Sequence, residues 1–88
     1  MSKIHKLLLK IIVGNSDNNI KFDELYHLLE YLGFEVRIKG SHHIFRKEGI
    51  ETKINIQKDG SMAKNYQVNQ VRKIIIENNL GDFSDVQF

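Results

Sequence analysis

The segment Lys39-Gly40-Ser41-His42-His43-Ile44-Phe45 sets an imidazole directly after a Gly-Ser turn, at the mouth of an apolar strand. Histidine exchanges protons near neutral pH, and a turn keeps the ring within reach of a substrate. Proton transfer is therefore the chemistry this pattern could do, with His42 as the group that does it. His43 takes the role if Ile44 rather than Phe45 packs inward, because neighbours on a strand point to opposite faces. Lys39, Arg46 and Lys53 are the cations that could offset negative charge beside the ring. Gly40 lets the backbone turn and approach a phosphate, and Ser41 can donate to phosphate or stabilise the turn. Lys64, beside the start of the last helix, could hold an anion against free backbone amides. Each residue also has an ordinary reading: strand histidines are commonly structural, and exposed lysines are commonly only solvated. His42 and His43 point apart and have no acid or third histidine near them in sequence, so neither a metal site nor a cofactor is expected.

Length and composition bound what can surround that segment. With 88 residues, 41% of them hydrophobic, the chain can bury one modest core, so a single domain over residues 1–88 is expected. Cysteine and tryptophan are absent, which removes disulfides and thiolate metal sites, and the apolar runs are too short to span a bilayer. The start, Met1-Ser2-Lys3-Ile4-His5-Lys6, lacks a small-residue cleavage site and continues as an amphipathic pattern. It is read as part of a cytoplasmic fold with no membrane partner.

The net charge of +2 is unevenly distributed. From Arg37 to Lys73 nine Lys or Arg residues face only Glu48, Glu51 and Asp59, a local balance of +6, against −1 before this segment and −3 after it. A basic field gathered on the stretch that carries the histidines attracts polyanions, of which nucleic acid is the usual one. A merely solvated lysine-rich surface is the competing explanation.

Periodicity supplies the elements that must position these groups. Ile4, Leu8, Ile11 and Ile12 recur on one helical face, ended by Gly14 and the polar loop Asn15-Ser16-Asp17-Asn18-Asn19. A second helix starts near Phe22, with Leu25, Leu28, Leu29 and Leu32 as its stripe, Asp23 and Glu24 in its first turn and Gly33 as its stop. The period then changes to two. Phe34, Val36 and Ile38 alternate with Glu35, Arg37 and Lys39; His42 to Lys47 is a second strand; and Thr52 to Gln57 is a third, with turns at Gly40-Ser41 and Lys47-Glu48-Gly49-Ile50. After a turn through Lys58-Asp59-Gly60-Ser61 a last helix begins at Asn65 as N-cap. Val68, Val71, Ile74 and Ile75 form its stripe, Gln67, Gln70, Arg72 and Lys73 take polar positions, and Leu80-Gly81 closes it. Residues 81–88, with Phe83 and Phe88, read as a loosely held tail. His5 and His27 are expected at helix surfaces.

The order α-α-β-β-β-α predicts an α+β fold: a three-stranded antiparallel sheet with helices on one face and the other face open. Residues 1–14 form an N-terminal helical extension and 20–80 the α-β-β-β-α core. If Val36, Ile38, Ile54 and Ile56 face the helices, then Arg37, Lys39, Lys53, Asn55 and Gln57 face outward. Phe45 is a better core residue than Ile44, which places His42 and Arg46 outward too.

Three stretches together, Leu28-Leu29-x-x-Leu32-Gly33-Phe34, Lys39-Gly40-Ser41-His42-His43-Ile44-Phe45 and Val71-Arg72-x-Ile74 with Leu80, resemble the HicA toxin family of bacterial type II toxin–antitoxin systems. The resemblance implies a double-stranded-RNA-binding-domain-like fold and an endoribonuclease that cleaves mRNA and is held inactive by a HicB-like antitoxin; because RNA carries its own nucleophile, the 2′-hydroxyl, the cleavage is expected to be metal-independent. It also implies that the catalytic histidine is the one after Gly-Ser, His42. The chain departs from the family in two places. Many members carry Pro-Arg-His on the last strand and Pro-Gly-Thr-Leu-Arg leading into the final helix, where this chain has Ile54-Asn55-Ile56-Gln57 and Val68-Asn69-Gln70-Val71-Arg72. A second proton-transfer group is thus unidentified. The extra N-terminal helix could pack on the core or assist self-association. Two alternatives stay open beside the enzyme: a non-catalytic RNA-binding module of the double-stranded type, and an inactive HicA-like protein that binds an antitoxin.

Overall fold

The computed structural model describes residues 3–15 and 17–81. Its elements are α1 (Lys3–Val13), a single 3₁₀ turn (Asp17–Asn19), α2 (Phe22–Tyr31), β1 (Glu35–Lys39), β2 (His42–Lys47), β3 (Ile50–Ile56), β4 (Lys58–Asp59), β5 (Met62–Ala63) and α3 (Asn65–Glu77). Strands β1, β2 and β3 make an antiparallel sheet in that order, so the fold is α+β with the helix-strand-strand-strand-helix arrangement anticipated. The expected tail, with Phe83 and Phe88, lies outside the described residues.

Both well-defined helix ends follow from local chemistry. Glu24 accepts from the Lys21 N–H at 3.0 Å, the half of a capping box that a lysine N-cap permits. At the other end Gly33, with φ +95°, completes a Schellman motif in which its own N–H bonds Glu30 C=O and that of Phe34 bonds Leu29 C=O, each at 3.0 Å. The last helix differs from expectation at both ends. Lys64, not Asn65, is its N-cap, with Asn65 already helical and no side-chain cap bond. It ends at Glu77 rather than at Leu80-Gly81: Asn79 adopts φ 51° and donates to Ile76 C=O, while Leu80 N–H bonds Ile75 C=O at 2.9 Å. Asparagine tolerates the left-handed region, so it serves as the helix stop before the glycine is reached.

The turn expected at Lys58-Asp59-Gly60-Ser61 is a small hairpin, with Lys58 paired to Ala63 and Asp59 to Met62. It hooks onto the start of α2, where Phe22 N–H bonds Ser61 C=O at 3.0 Å and Ala63 N–H bonds Ile20 C=O at 2.9 Å. The first of these satisfies an amide that the start of a helix otherwise leaves without a partner.

One core joins the layers. Leu7, Leu8, Ile11 and Ile12 of α1 pack with Leu25, Leu28, Leu29 and Leu32, with Phe45, Ile54 and Ile56 of the sheet, and with Val68, Val71, Ile74 and Ile75 of α3. At about 1.5–3 kcal/mol for each fully buried aliphatic side chain, α1 contributes to the same core as the helix–sheet unit. Gln67 departs from the expected outward placement: it is 2% exposed, on the inner side of α3. Ile38 departs in the opposite sense. It lies on the helix-facing side of β1 yet is 56% exposed, near the end of an edge strand. Among the described residues no helix is long and apolar enough to cross a membrane.

A polar clamp closes the fold. The Arg72 guanidinium meets Asp17 with two parallel bonds, Nη1 to Oδ1 at 2.8 Å and Nη2 to Oδ2 at 3.0 Å, and also donates to Ile11 C=O at 3.3 Å. The two side chains are only 17% and 23% exposed, so solvent screens the pair less than it would a surface ion pair. Gly14, at φ +82°, lies beneath that guanidinium, where an added Cβ would come within 3.2 Å of Nη1. Replacing Arg72 with Met is expected to lower unfolding free energy by about 1.5–3 kcal/mol, seen in urea as a lower midpoint with an unchanged slope.

Candidate functional site

The register of the sheet determines what shares its open face. Val36, Phe45 and Ile54 pair across the strands on the inner side, with Ile38, His43 and Ile56 beside them. The outward rows are therefore Glu35 with Arg46; Arg37 with Ile44 and Asn55; and Lys39 with His42, beyond which stands Gln57. Phe45 is fully buried, Ile44 is half-buried on the open face, and His42 is exposed.

The two histidines have opposite surroundings. His43 is half-buried, its ring 4.9 Å from Phe22 and 5.8 Å from Tyr26, both edge-on, and its Nδ1 has no hydrogen-bond partner among the described residues. His42 lies among polar groups. Asn55 Oδ1 is 3.4 Å from its Nδ1, and Gln57 Nε2 is 3.2 Å from Nδ1 and 3.1 Å from Nε2, so the Gln57 amide nitrogen lies over the ring, nearly equidistant from both nitrogens. Of the other histidines, His27 is exposed, whereas His5 is half-buried rather than at the surface.

The remaining candidates divide by position. Lys39 pairs directly with His42 across the hairpin, where paired side chains stand about 5 Å apart at Cβ. Gly40 and Ser41 form the two-residue loop between them. Gly40 takes φ +58° and Ser41 does not share the positive sign, the pattern of a II′ turn with glycine first. Open space surrounds Gly40, and Ser41 is exposed. Arg46 and Lys53 do not join the ring. Arg46 is four residues further along β2, about 13 Å at roughly 3.3 Å per residue, and with Lys53 it lines a cleft of about 790 Å³. Glu35, Glu48 and Glu51 line the same cleft, so it carries both signs of charge. Lys64 lies at the start of α3, its ammonium 5.9 Å from the Tyr66 ring centre.

Two residues of the site were not singled out by sequence reasoning. Asn55 and Gln57 were placed outward, but not against His42. A third, Gln67, supports them from within. With its amide turned so that both groups are satisfied, it accepts from the Gln57 N–H at 3.0 Å and donates to the Gln57 C=O at 3.2 Å. Its sequence signal is its place four residues before Val71, on the edge of the apolar stripe.

A helix, a three-stranded meander carrying Gly-Ser-His at its first turn, and a closing helix are thus in place. The family model described as HicA toxin of bacterial toxin–antitoxin matches residues 22–76, from the start of α2 to the last turn of α3. The chain belongs to the HicA toxin family. Comparison with curated proteins and with solved structures gives no match. In this HicA-family chain α1 lies outside the matched segment while packing into its core.

The contrast between the histidines has a measurable consequence. His43→Ala removes ring contacts with Phe22 and Tyr26 and is expected to cost about 1–2 kcal/mol in urea unfolding, whereas His42→Ala changes stability by no more than about 0.5 kcal/mol.

Proposed function

We propose that this HicA-family toxin is an endoribonuclease that cleaves mRNA with His42 as its proton-transfer group, and that a HicB-like antitoxin restrains it. The observation that carries the reading is the exposed His42 imidazole on the open sheet face, paired with Lys39 and bracketed by two carboxamides, in a chain of a toxin family.

RNA brings its own nucleophile, the 2′-hydroxyl beside each phosphodiester. An enzyme must align that oxygen with the scissile P–O bond, take its proton and offset charge on the phosphate. In the proposed reaction His42 accepts the 2′-hydroxyl proton as the 2′-oxygen attacks phosphorus. The bond to the 5′-oxygen breaks, and that oxygen takes a proton from solvent, leaving a 2′,3′-cyclic phosphate and a 5′-hydroxyl. Because the nucleophile is internal, the scheme does not call on a metal ion or another cofactor. Lys39, as the cross-strand neighbour, offsets charge on the reacting phosphate, with Gly40 and Ser41 bringing backbone close to it. Arg46 and Lys53, farther along the face, hold flanking phosphates rather than the reacting one. Lys64 would contact a more distant phosphate. The antitoxin would act by covering the open face, and the reading places the reaction in the cytoplasm, where mRNA is.

Purified protein incubated with mRNA is expected to generate cyclic-phosphate ends in the presence of a chelator, and His42→Ala to reduce the rate by about 10²–10⁴-fold. Undiminished cleavage by that variant would remove His42 from the mechanism. Lys39→Ala is expected to weaken RNA binding and to flatten its dependence on salt, since one fewer counterion is released. RNA binding without cleavage by the wild-type chain would favour the non-catalytic module instead.

A further inference from the structure

The sheet order β1-β2-β3 leaves the outer edge of β1 without a neighbouring strand among the described residues. An edge of this kind presents free N–H and C=O groups and is a template for another chain. Which groups are free follows from the first turn. In a two-residue hairpin the closing pair, here Lys39 with His42, exchanges both backbone bonds, and bonded and non-bonded pairs then alternate along the ladder. Glu35, Arg37 and Lys39 therefore turn their backbone groups toward β2, while Val36 and Ile38 turn theirs to the free edge. Phe34 shares the phase of Val36, but its N–H is committed to Leu29 C=O, so toward the edge it can only accept. Ile38, on the helix-facing side of this edge, is 56% exposed.

We infer that β1 pairs antiparallel with β1 of a second copy of this chain, centred on Val36, so that two sheets join into one. A two-fold pairing shifted by one residue would bring Val36 or Ile38 opposite a charged side chain, so the centre must keep the apolar row on one side. Centred on Ile38, Arg37 would face the partner's Lys39 twice. Centred on Arg37, each Glu35 would face the partner's Lys39, but the two Arg37 side chains would meet in a non-hydrogen-bonded pair, the closer kind. Centred on Val36, each Glu35 faces the partner's Arg37 and no like charges meet. Val36 then faces Val36, and each exposed Ile38 lies beside the partner's Phe34. The same register closes backbone bonds in both directions between the two Val36 residues, and from each Ile38 N–H to the partner's Phe34 C=O. Charges on an edge strand ordinarily deter association. Here an acid followed two residues later by a base makes the edge complementary to itself. Paired residues share a face, so both helical layers fall on one side of the joined sheet and both His42 faces on the other. One extended polyanion can span the two. The pairing itself does not depend on what His42 does.

The chain has no cysteine, so single introduced thiols report the register without background. Opposed residues of a bonded pair have Cα atoms about 5.5 Å apart, within disulfide range. Under mild oxidation Val36→Cys is expected to form a linked dimer, and Arg37→Cys, which meets its counterpart only in the register centred on Arg37, to form little. In sedimentation equilibrium the wild type should pass from the mass of one chain to that of two as concentration rises. Arg37→Glu and Glu35→Lys should each weaken this dimer by about 10- to 50-fold, since two attractive pairs become repulsive. Mixing the two variants should restore association, because every introduced charge then faces its opposite. A wild type that stays monomeric at all concentrations would overturn the inference, and so would a mixture that associates no better than either folded variant alone. Should a charge variant fail to fold, the two cysteine variants still decide: cross-linking through Arg37→Cys in place of Val36→Cys would remove the proposed register.

Discussion

Phe45 has no exposed surface, and much of the molecule is arranged around that single burial. Side chains on a strand alternate with a period of two, so once Phe45 points into the helical layer its neighbours are assigned. His43 is drawn to the inner side against Phe22 and Tyr26, while His42, Ile44 and Arg46 are turned to solvent. The register then extends the assignment across the sheet: Val36 and Ile54 flank Phe45 within, and Lys39 and Gln57 flank His42 without. The chemistry of the outer face is thus a by-product of packing on the inner one. A strand pairing displaced by one residue would put cations in the core, at a cost no fold of this size could carry.

The helices do more than cover the sheet. Through Gln67, α3 grips the end of β3 from behind, and through Arg72 it holds the 3₁₀ turn and the last turn of α1. The two contacts lie five residues apart on one helix and face different neighbours, so α3 ties the N-terminal helix and the open-face amides to a common support. α1 accordingly belongs to the mechanical unit although the family match begins only at Phe22.

Much of this was legible in the chain. The stripes of α2 and α3 are buried residue for residue as their spacing foretells, and β2 runs from His42 to Lys47 as the alternation indicates. Parity, judged from the size of Phe45 against Ile44, gave the correct faces of the sheet. What escaped was of two kinds. Gln67 is polar by type but lies on the edge of an apolar stripe, and only tertiary contact shows that its amide is satisfied within the core. The pairing of Gln57 with His42 was hidden by the irregularity near the second turn. A regular hairpin closed by Lys47 and Ile50 would have carried Asn55 opposite His42. In the structure Phe45 pairs with Ile54, so Arg46 alone spans the stretch that Glu51, Thr52 and Lys53 occupy on the other strand.

That irregularity sets a rule for how the hairpin can vary in length. The surplus on β3 is an even number of residues, so Asn55 and Gln57 emerge beyond it on the face they would have had in a regular ladder. Removing one residue from Glu51–Lys53 would leave two residues opposite Arg46, the count of an ordinary β-bulge, with Phe45 still facing Ile54. Removing two would leave one residue opposite Arg46, a regular ladder in which Phe45 still faces Ile54 and His42 still faces Gln57. Length changes in this hairpin are therefore taken up between Lys47 and Phe45, and the burial of Phe45 against Ile54 holds the register of everything beyond.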